Sequence, residues 1–324
     1  MIIRFIVHHP YVVDAVCLLL PLLIVWLGWR LSRRRKLLGY VCCLVGLVTL
    51  LTYAYGRYVG ASQLEVRRVE FASADLPDAF DGYRIVQFSD AHVGSFIGGR
   101  EDYLQRAVDS INAQKADAVV FTGDLQNISY DEIEPFKALL GSIQSRDGIY
   151  SVLGNHDYAE YIGPTDDPAV IDRQLGGSVG IHHDMGWRLL RNGWHRVRRD
   201  SACIYIAGME NDGEGRFPQL GNHNTALRGI SRRDFVVMLE HDPSSWRRRI
   251  LPHTHVQLTL SGHTHGGQMS LFGWSPACLR YKEYDGLYYM GPRAINVSRG
   301  IGGVLPFRLG APGEIVVITL LKKK

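Results

Sequence analysis

Five short segments of this chain carry side chains that bind metal ions, and each of them follows a hydrophobic run. They are Asp90-Ala91-His92, Gly123-Asp124, Gly154-Asn155-His156-Asp157, Glu240-His241 and Gly262-His263-Thr264-His265. Carboxylates, imidazoles and one carboxamide form a mixed nitrogen and oxygen donor set. Such a set suits Mn, Fe or Zn in a catalytic site better than a Cys-rich structural zinc site. The candidate ligands are too many for one tetrahedral ion, whereas two divalent ions sharing a bridging carboxylate would use them and would favour in-line displacement at phosphorus.

Four of these segments follow runs that are typical of buried parallel strands, at residues 84–88, 118–122, 149–153 and 256–261. In open α/β sheets, ligands bind at the carboxyl ends of the strands. We therefore expect the polar residues to converge at that edge. The segment from Glu101 predicts an amphipathic helix between the first two of these strands, with Leu104, Ala107, Val108 and Ile111 on one face. Further strands are predicted at 187–197, 202–207, 234–239, 294–297 and 314–320.

The five segments match, complete and in order, the pattern D-x-H, G-D, G-N-H-[DE], H, G-H-x-H. On these motifs the chain resembles the calcineurin-like metallophosphoesterases, most of all their bacterial membrane-associated branch, from about Leu64 to Leu321. The resemblance includes Ser298-Arg299-Gly300-Ile301-Gly302 and the last predicted strand. It implies an α/β fold, a four-layer sandwich in which two packed mixed sheets are flanked by helices.

The resemblance also implies a role for each motif residue. Asp124 would bridge two ions, with Asp90, His92 and His265 on the first and Asn155, His241 and His263 on the second. A hydroxide held between the ions would attack phosphorus. His156 would be the catalytic general acid that protonates the leaving oxygen. Some relatives orient this histidine with the second Asp of a G-D-x-x-D block; here Asn127 stands at that position, and Asp157 is the available substitute.

Two arginines outside these motifs are candidates for substrate binding. A guanidinium group matches phosphate with two hydrogen bonds, so Arg299 and Arg308 could contact the substrate. Both could equally be structural ion-pair partners. Residues 158–200 are expected to contain a loop that either covers the site or only connects elements.

The N-terminal region predicts a membrane hairpin. Residues 10–29 and 37–56 are apolar stretches of about 20 residues, long enough to cross the hydrocarbon core as helices. The loop between them carries Arg30, Arg33, Arg34, Arg35 and Lys36, which places it in the cytoplasm. The chain would then be a multi-pass cell-membrane protein, with residues 1–60 as the hairpin and residues 61–324 as a catalytic domain in the periplasm or outside the cell. A signal peptide would have one shorter apolar core, and two buried core helices are the other alternative.

Charge and cysteine content limit the function classes. Of the 36 Lys and Arg and the 32 acidic residues, seven basic residues and one acidic residue lie in the first 60 positions. The remainder is slightly acidic, so no nucleic-acid partner is expected. Three of the five cysteines lie in the apolar stretches, although Cys203 and Cys278 could pair.

The sequence therefore predicts a membrane-anchored, dinuclear metal-dependent phosphoesterase. It would hydrolyse a phosphomonoester or phosphodiester, with a lipid-linked ester as one candidate substrate at the bilayer. The alternative is a non-catalytic membrane scaffold or binding protein built on a phosphoesterase domain. A phosphoesterase domain that has lost its activity usually lacks some metal ligands, whereas this chain has all seven candidate ligands together with His156.

Overall fold

The computed structural model describes residues 8–163 and 167–323. Within them, the helices are α1 (Pro10–Ser32), α2 (Lys36–Ala54), α3 (Glu101–Ala113), α4 (Lys137–Gly141), α5 (Pro168–Asp184), α6 (His223–Ala226) and α7 (Leu251–His253). The strands are β1 (Leu64–Ser73), β2 (Tyr83–Phe88), β3 (Ala118–Phe121), β4 (Ile149–Ser151), β5 (Arg188–Leu189), β6 (Gly193–Arg199), β7 (Ala202–Gly208), β8 (Val236–Leu239), β9 (Leu258–Ser261), β10 (Gly286–Met290), β11 (Arg293–Val297) and β12 (Gly313–Lys322).

The strands form two mixed six-stranded sheets. The order in the first is β1-β12-β2-β3-β4-β5, and in the second it is β10-β11-β9-β8-β7-β6. Strands β2 to β5 run parallel in the first sheet, and β7, β8, β9 and β11 run parallel in the second. The carboxyl ends of the strands that carry the motifs therefore lie at one edge of each sheet.

The two sheets pack face to face and bury both faces of their central strands. On β2, Ile85 points into the layer between the sheets, whereas Val86 and Phe88 point into the layer beneath the helices. Helix α3 covers that outer face, and its predicted apolar stripe is fully buried. This arrangement confirms the four-layer α/β sandwich.

A buried polar network fixes the register of the two sheets beneath the motif residues. The Gln87 amide donates to Thr122 Oγ1 (3.2 Å) and to the Ser261 carbonyl (2.8 Å), and it accepts from Asn296 Nδ2 (2.8 Å). Because buried polar groups are costly unless they are hydrogen-bonded, only one alignment of the sheets satisfies these groups.

The prediction of a single strand at 187–197 is wrong. Strand β5 pairs with β4 in the first sheet, whereas β6 pairs with β7 in the second. Between them Asn192 adopts a left-handed φ of 50° directly before Gly193. Asn-Gly favours such a turn, and apolar alternation continues on both sides of it, so the pattern could not show the change of sheet. Cys203 and Cys278 are both free thiols rather than a disulfide.

Helices α1 and α2 form an antiparallel hairpin before β1. Both helices are long and apolar enough to cross a membrane. In the most apolar 18-residue stretch of each helix, only 11% of the residues in α1 and 17% of those in α2 are buried. A core helix of a soluble domain would be mostly buried instead. At the end of the hairpin next to the domain, the Arg57 guanidinium pairs with the Asp14 carboxylate at 3.1 Å, and the Tyr53 hydroxyl donates to the same carboxylate.

Candidate metal centre

The seven predicted ligands meet where the two sheets abut. Asp90 and Asp124 follow β2 and β3, and Asn155 follows β4; His241 and His263 follow β8 and β9 of the second sheet. All seven are buried or nearly so, and Asp90, His92 and His241 have no exposed surface. Residues far apart in the chain are thus brought together as expected.

The candidate donor atoms form two groups joined through Asp124. In one group the donor atoms of Asp90, His92 and His265 lie within 4.8 Å of one another, and in the other those of Asp124, His241 and His263 do. The donor atoms of His92, Asp124 and His156 also lie within this distance of one another. Asp124 Oδ2 lies 3.2 Å from His241 Nε2 and 3.6 Å from His92 Nε2. The Asp124 carboxylate therefore faces a residue of each group, which is the placement a bridging ligand requires.

The donor atoms fit two divalent cations. His92 Nε2 and Asn155 Oδ1 are buried without a hydrogen-bond partner, which is costly unless something else satisfies them. His241 Nδ1 lies 2.8 Å from the Thr122 carbonyl, so Nε2 is the nitrogen that faces the centre. Contacts of this kind fix the tautomer and ring orientation of a metal-binding histidine.

Electrostatics within the centre favour an ionised Asp124, neutral imidazoles at His92 and His263, and, with no cation bound, a protonated imidazole at His241. Burial lowers the pKa of His92 to about 3 and that of His263 to about 4. Burial opposes ionisation of Asp124, but His241 and His156 hold its pKa well below the usual range. Burial alone would lower the pKa of His241, but the negative charge of Asp124 raises it to about 10. Neutral imidazole and ionised carboxylate are the forms that bind metal ions.

The backbone at the centre is strained. Five of the seven candidate ligands adopt a left-handed φ between 46° and 70°, namely Asp90, His92, Asp124, His263 and His265. Such conformations are uncommon for residues other than glycine and cluster at functional sites. Gly262 lets two loops approach closely, since a Cβ there would lie 2.0 Å from Ser89 Oγ and 2.3 Å from Asp90 Oδ2.

His156 lies beside the ligands and is held by a backbone carbonyl. Its Nδ1 lies 2.7 Å from the Asn127 carbonyl oxygen, and its ring stacks on Tyr161 with centroids 3.8 Å apart. The expectation that Asp157 orients His156 is wrong, because the Asp157 carboxylate accepts backbone N–H groups instead. Asn127 holds His156 through its main-chain carbonyl.

Asp157 holds together the two loops that carry Asp124 and Asn155. Its carboxylate accepts the backbone N–H of Asp124, Leu125 and Gly154 at 2.8 Å each. Asp157→Ala is expected to lower the melting temperature of the purified full chain, since each buried amide left unpaired costs about 1–3 kcal/mol. Asp109→Ala, on the exposed face of α3, is the matched control. Equal melting temperatures for the two variants would contradict this role.

Several residues around the centre were not found from the sequence. The Tyr281 hydroxyl lies 2.8 Å from His263 Nε2, and Asp242 Oδ2 lies 3.5 Å from the same nitrogen. Asp242 directly follows the predicted ligand His241, so its position in the sequence could have identified it as a candidate. Tyr161 and Tyr281 carry no such signal, because they reach the centre only through the fold.

Arg299 and Arg308 make structural contacts, the second of the two alternatives that the sequence left open for them. The Arg299 guanidinium pairs with Asp285 (3.0 Å) and Glu65 (2.7 Å). Arg308 is buried and donates to backbone carbonyl oxygens, among them those of Gly300 (3.0 Å) and Gly302. With their donors occupied, neither arginine presents a free guanidinium face to a substrate.

A cavity of about 450 Å³ opens above the candidate ligands. Its floor includes Asp124, Asn155, His156, His263 and His265, and its walls include Tyr161, Phe217, Pro276, Ala277, Tyr281, Val304 and Leu305. Among the described residues 158–163 and 167–200, Tyr161 alone lines this cavity, and most of the others belong to α5, β5 and β6.

The sequence model of the calcineurin-like phosphoesterase family matches residues 83–267, from the start of β2 to the last of the five motifs. The chain belongs to the calcineurin-like phosphoesterase family. It is a hydrolase of metal-dependent type, and the alternation of strands and ligand-bearing loops described above is the family's fold. The family assignment predicted from the sequence is confirmed.

Relatives extend the similarity beyond the catalytic motifs. The chain is 33% identical to the uncharacterized metallophosphoesterase YkuE of Bacillus subtilis over 303 residues, covering 90% of this chain and 98% of the relative. It is 30% identical to the zebrafish (Danio rerio) transmembrane protein with metallophosphoesterase domain, covering 85% of this chain and 61% of that longer protein. It is 23% identical to the UDP-2,3-diacylglucosamine pyrophosphatase LpxG of Chlamydia trachomatis, covering 84% and 94%. The second relative and the two apolar helices together indicate membrane association.

Proposed function

We propose that this hydrolase is anchored in the cell membrane by α1 and α2 and cleaves a phosphomonoester or phosphodiester of a lipid-linked substrate with two bound divalent ions. The observation that carries the proposal is the convergence of the candidate ligands beneath one cavity, whose floor includes Asp124, Asn155, His263 and His265 together with His156. In a scaffold protein without catalytic activity, buried donor atoms that lack a hydrogen-bond partner and five strained candidate ligands would cost stability without serving a function.

His156 and each of the seven candidate ligands have a role in this proposal. Asp124 would contact both ions, with Asp90, His92 and His265 on one side and Asn155, His241 and His263 on the other. Two ions of Mn, Fe or Zn would supply a nucleophile from water at neutral pH and would neutralise charge on the phosphoryl group. His156 uses Nδ1 for the Asn127 carbonyl, so Nε2 is the nitrogen that can pass a proton to the leaving oxygen.

The lipid-linked part of the proposal has two supports. Apolar residues line the cavity walls, among them Phe217, Val304 and Leu305. The LpxG relative is named for a substrate that carries two acyl groups as well as a diphosphate. An ester with an apolar group next to its phosphate would match such walls.

The test uses the purified full chain loaded with Mn, Fe or Zn. Metal analysis should give two ions per chain, and hydrolysis of a chromogenic phosphodiester should depend on them. Phospholipids, nucleotide-linked lipid precursors and phosphopeptides then compete as substrates, and the lipid-linked esters are expected to give the highest kcat/KM. Metal-loaded protein that hydrolyses none of these compounds would instead support the scaffold alternative.

The orientation of the hairpin gives a separate prediction. Because the basic loop lies between the two helices, we expect the domain after Tyr58 to face the periplasm or the cell exterior. A reporter enzyme that is active only outside the cytoplasm is fused to the C-terminus, and the fusion should be active. The matched control replaces Arg33, Arg34 and Arg35 by neutral residues, which should weaken the preference. A well-expressed fusion that is inactive would reverse the orientation.

A further inference from the structure

A short loop beside the cavity exposes large apolar side chains to solvent. Leu271, Phe272, Trp274 and Leu279 are 44%, 108%, 51% and 80% exposed, and we call these four residues the apolar tip. Single exposed apolar residues are common on soluble proteins, but four within nine positions form a patch that marks an interaction surface. Burial of these side chains would stabilise a contact with an apolar partner.

The turn at the centre of the apolar tip does not account for its phenylalanine. Leu271 and Trp274 exchange two backbone hydrogen bonds of 2.9 Å across Phe272 and Gly273, whose φ angles are 53° and 81°. Two left-handed central residues define a type I′ turn, for which Asn-Gly is the favoured pair. A bulky residue with positive φ is strained. Folding alone would therefore favour Asn over Phe at position 272.

The loop of the apolar tip is connected by one segment to the end of the hairpin that lies next to the domain. Backbone bonds join the start of its loop to the segment 305–310, with Ser270 N–H donating to the Leu309 carbonyl at 2.8 Å. The same segment packs on the end of α2: the Phe307 ring stacks on Tyr53, with centroids 5.6 Å apart, and Arg308 N–H donates to the Gly56 carbonyl at 3.0 Å. Residues 305–310 therefore contact both the loop of the apolar tip and the end of α2.

The cavity mouth lies on the same side of the domain. Pro276 and Ala277, from the loop of the apolar tip, form one wall, and Val304 and Leu305 form the next. At the start of α1, His8 Nε2 contacts the Tyr161 carbonyl at 2.9 Å, so the first membrane helix also begins beside the cavity. The exposed side chains of Arg280 and Lys282 follow the apolar tip and could meet anionic lipid headgroups.

We propose that the apolar tip inserts into the bilayer that α1 and α2 span, so that the cavity opens at the lipid surface. This inference rests on the membrane anchor of the proposed function and adds the route of the substrate: an amphiphilic phosphoester enters from the leaflet next to the domain. Aromatic and aliphatic side chains beside cations are the residues that bind the interfacial region of membranes.

Fluorescence quenching by lipid tests the insertion without any measure of activity. The full chain, with its five native cysteines replaced by alanine, carries Phe272→Cys labelled with an environment-sensitive dye. It is reconstituted in vesicles of phosphatidylcholine and phosphatidylglycerol whose acyl chains carry a quencher. The matched control is Asp200→Cys, on the tight turn between β6 and β7, at the opposite end of the parallel strands from the cavity. We expect strong quenching at position 272 and none at position 200.

Three other outcomes would overturn the inference in distinguishable ways. Quenching at position 272 that is absent, or no stronger than at position 200, would leave the anchor intact but contradict insertion of the apolar tip. Disulfide crosslinking between two unlabelled Phe272→Cys copies, without quenching of the labelled protein, would assign the tip to a contact with a second copy. Protein that fails to float with vesicles would remove the anchor itself. Hydrolysis of the chromogenic diester, measured on the same samples, reports the hydrolase chemistry independently in every case.

Phe272→Asn separates the apolar tip from the stability of its turn. The substitution creates the favoured pair of a type I′ turn, so the melting temperature should not fall. Hydrolysis of a phosphoester embedded in vesicles should show a higher KM, whereas hydrolysis of the soluble diester should keep its KM and kcat. An unchanged KM for the embedded substrate would contradict entry from the lipid surface.

Discussion

Replacing Asp124 by Asn is expected to abolish most activity and to lower the occupancy of both metal ions. The amide can keep the hydrogen bond that Asp124 Oδ1 accepts from the His156 backbone N–H (2.8 Å), but it loses the negative charge that faces His92 and His241. Because substituting an outer-shell partner of a metal ligand already costs about 10–100-fold in affinity or activity, losing the bridging charge should cost more than roughly 100-fold.

Metal analysis of purified variants checks this expectation. His92→Ala removes a ligand of one ion only, so it should lower chiefly that ion's occupancy. Asp109→Asn makes the same chemical change on the exposed face of α3 and should keep both ions. Full occupancy of both sites in Asp124→Asn would mean that Asp124 does not bridge them.

His156→Ala is expected to keep both metal ions and to lose activity by about 10²–10⁴-fold, the usual contribution of a general acid. In the proposed assignment the seven other residues supply the ligand atoms, and His156 Nδ1 is engaged with the Asn127 carbonyl. The need for an acid grows as the leaving oxygen becomes more basic. The loss should therefore be larger for alkyl phosphodiesters than for nitrophenyl phosphodiesters.

Steady-state kinetics on the two ester classes, with metal analysis of the same samples, separate the alternatives. His183→Ala, exposed at the end of α5, is the matched control and should resemble the unsubstituted chain. An equal loss for both leaving groups would make His156 a positioning residue. Loss of metal together with the imidazole would make it a ligand.

The convergence of the candidate ligands could be predicted from the sequence because each of them directly follows a strand or lies in a short motif beside one. Local pattern places Asp90 after β2 and His263 after β9, and the parallel topology then brings the strand ends together. Neither the position of a residue after a strand nor the parallel order of the strands depends on a particular tertiary contact. The helix α3 was predictable for the same reason, since its apolar spacing is local.

The groups that support the ligands could not be predicted, because they act through the main chain or across the fold. Asn127 holds His156 with its carbonyl, which every residue type carries. Tyr161 reaches the His156 ring only because a short helical turn lies over it. For Arg308 the sequence left phosphate binding and a structural role open, because a guanidinium group can donate to backbone carbonyls as well as to phosphate.

Contacts of the segment 305–310 also decide where the chain can be divided for soluble expression. A cut between residues 60 and 61, at the predicted domain boundary, would remove the Tyr53 ring from Phe307 and the Gly56 carbonyl from the Arg308 N–H. The Arg308 guanidinium in turn holds the carbonyl of Gly302, whose N–H donates to the Asp90 carbonyl. Contacts thus run without interruption from the candidate metal centre to the end of α2. Detergent or nanodisc preparations of the whole chain are therefore the appropriate starting material for enzymology.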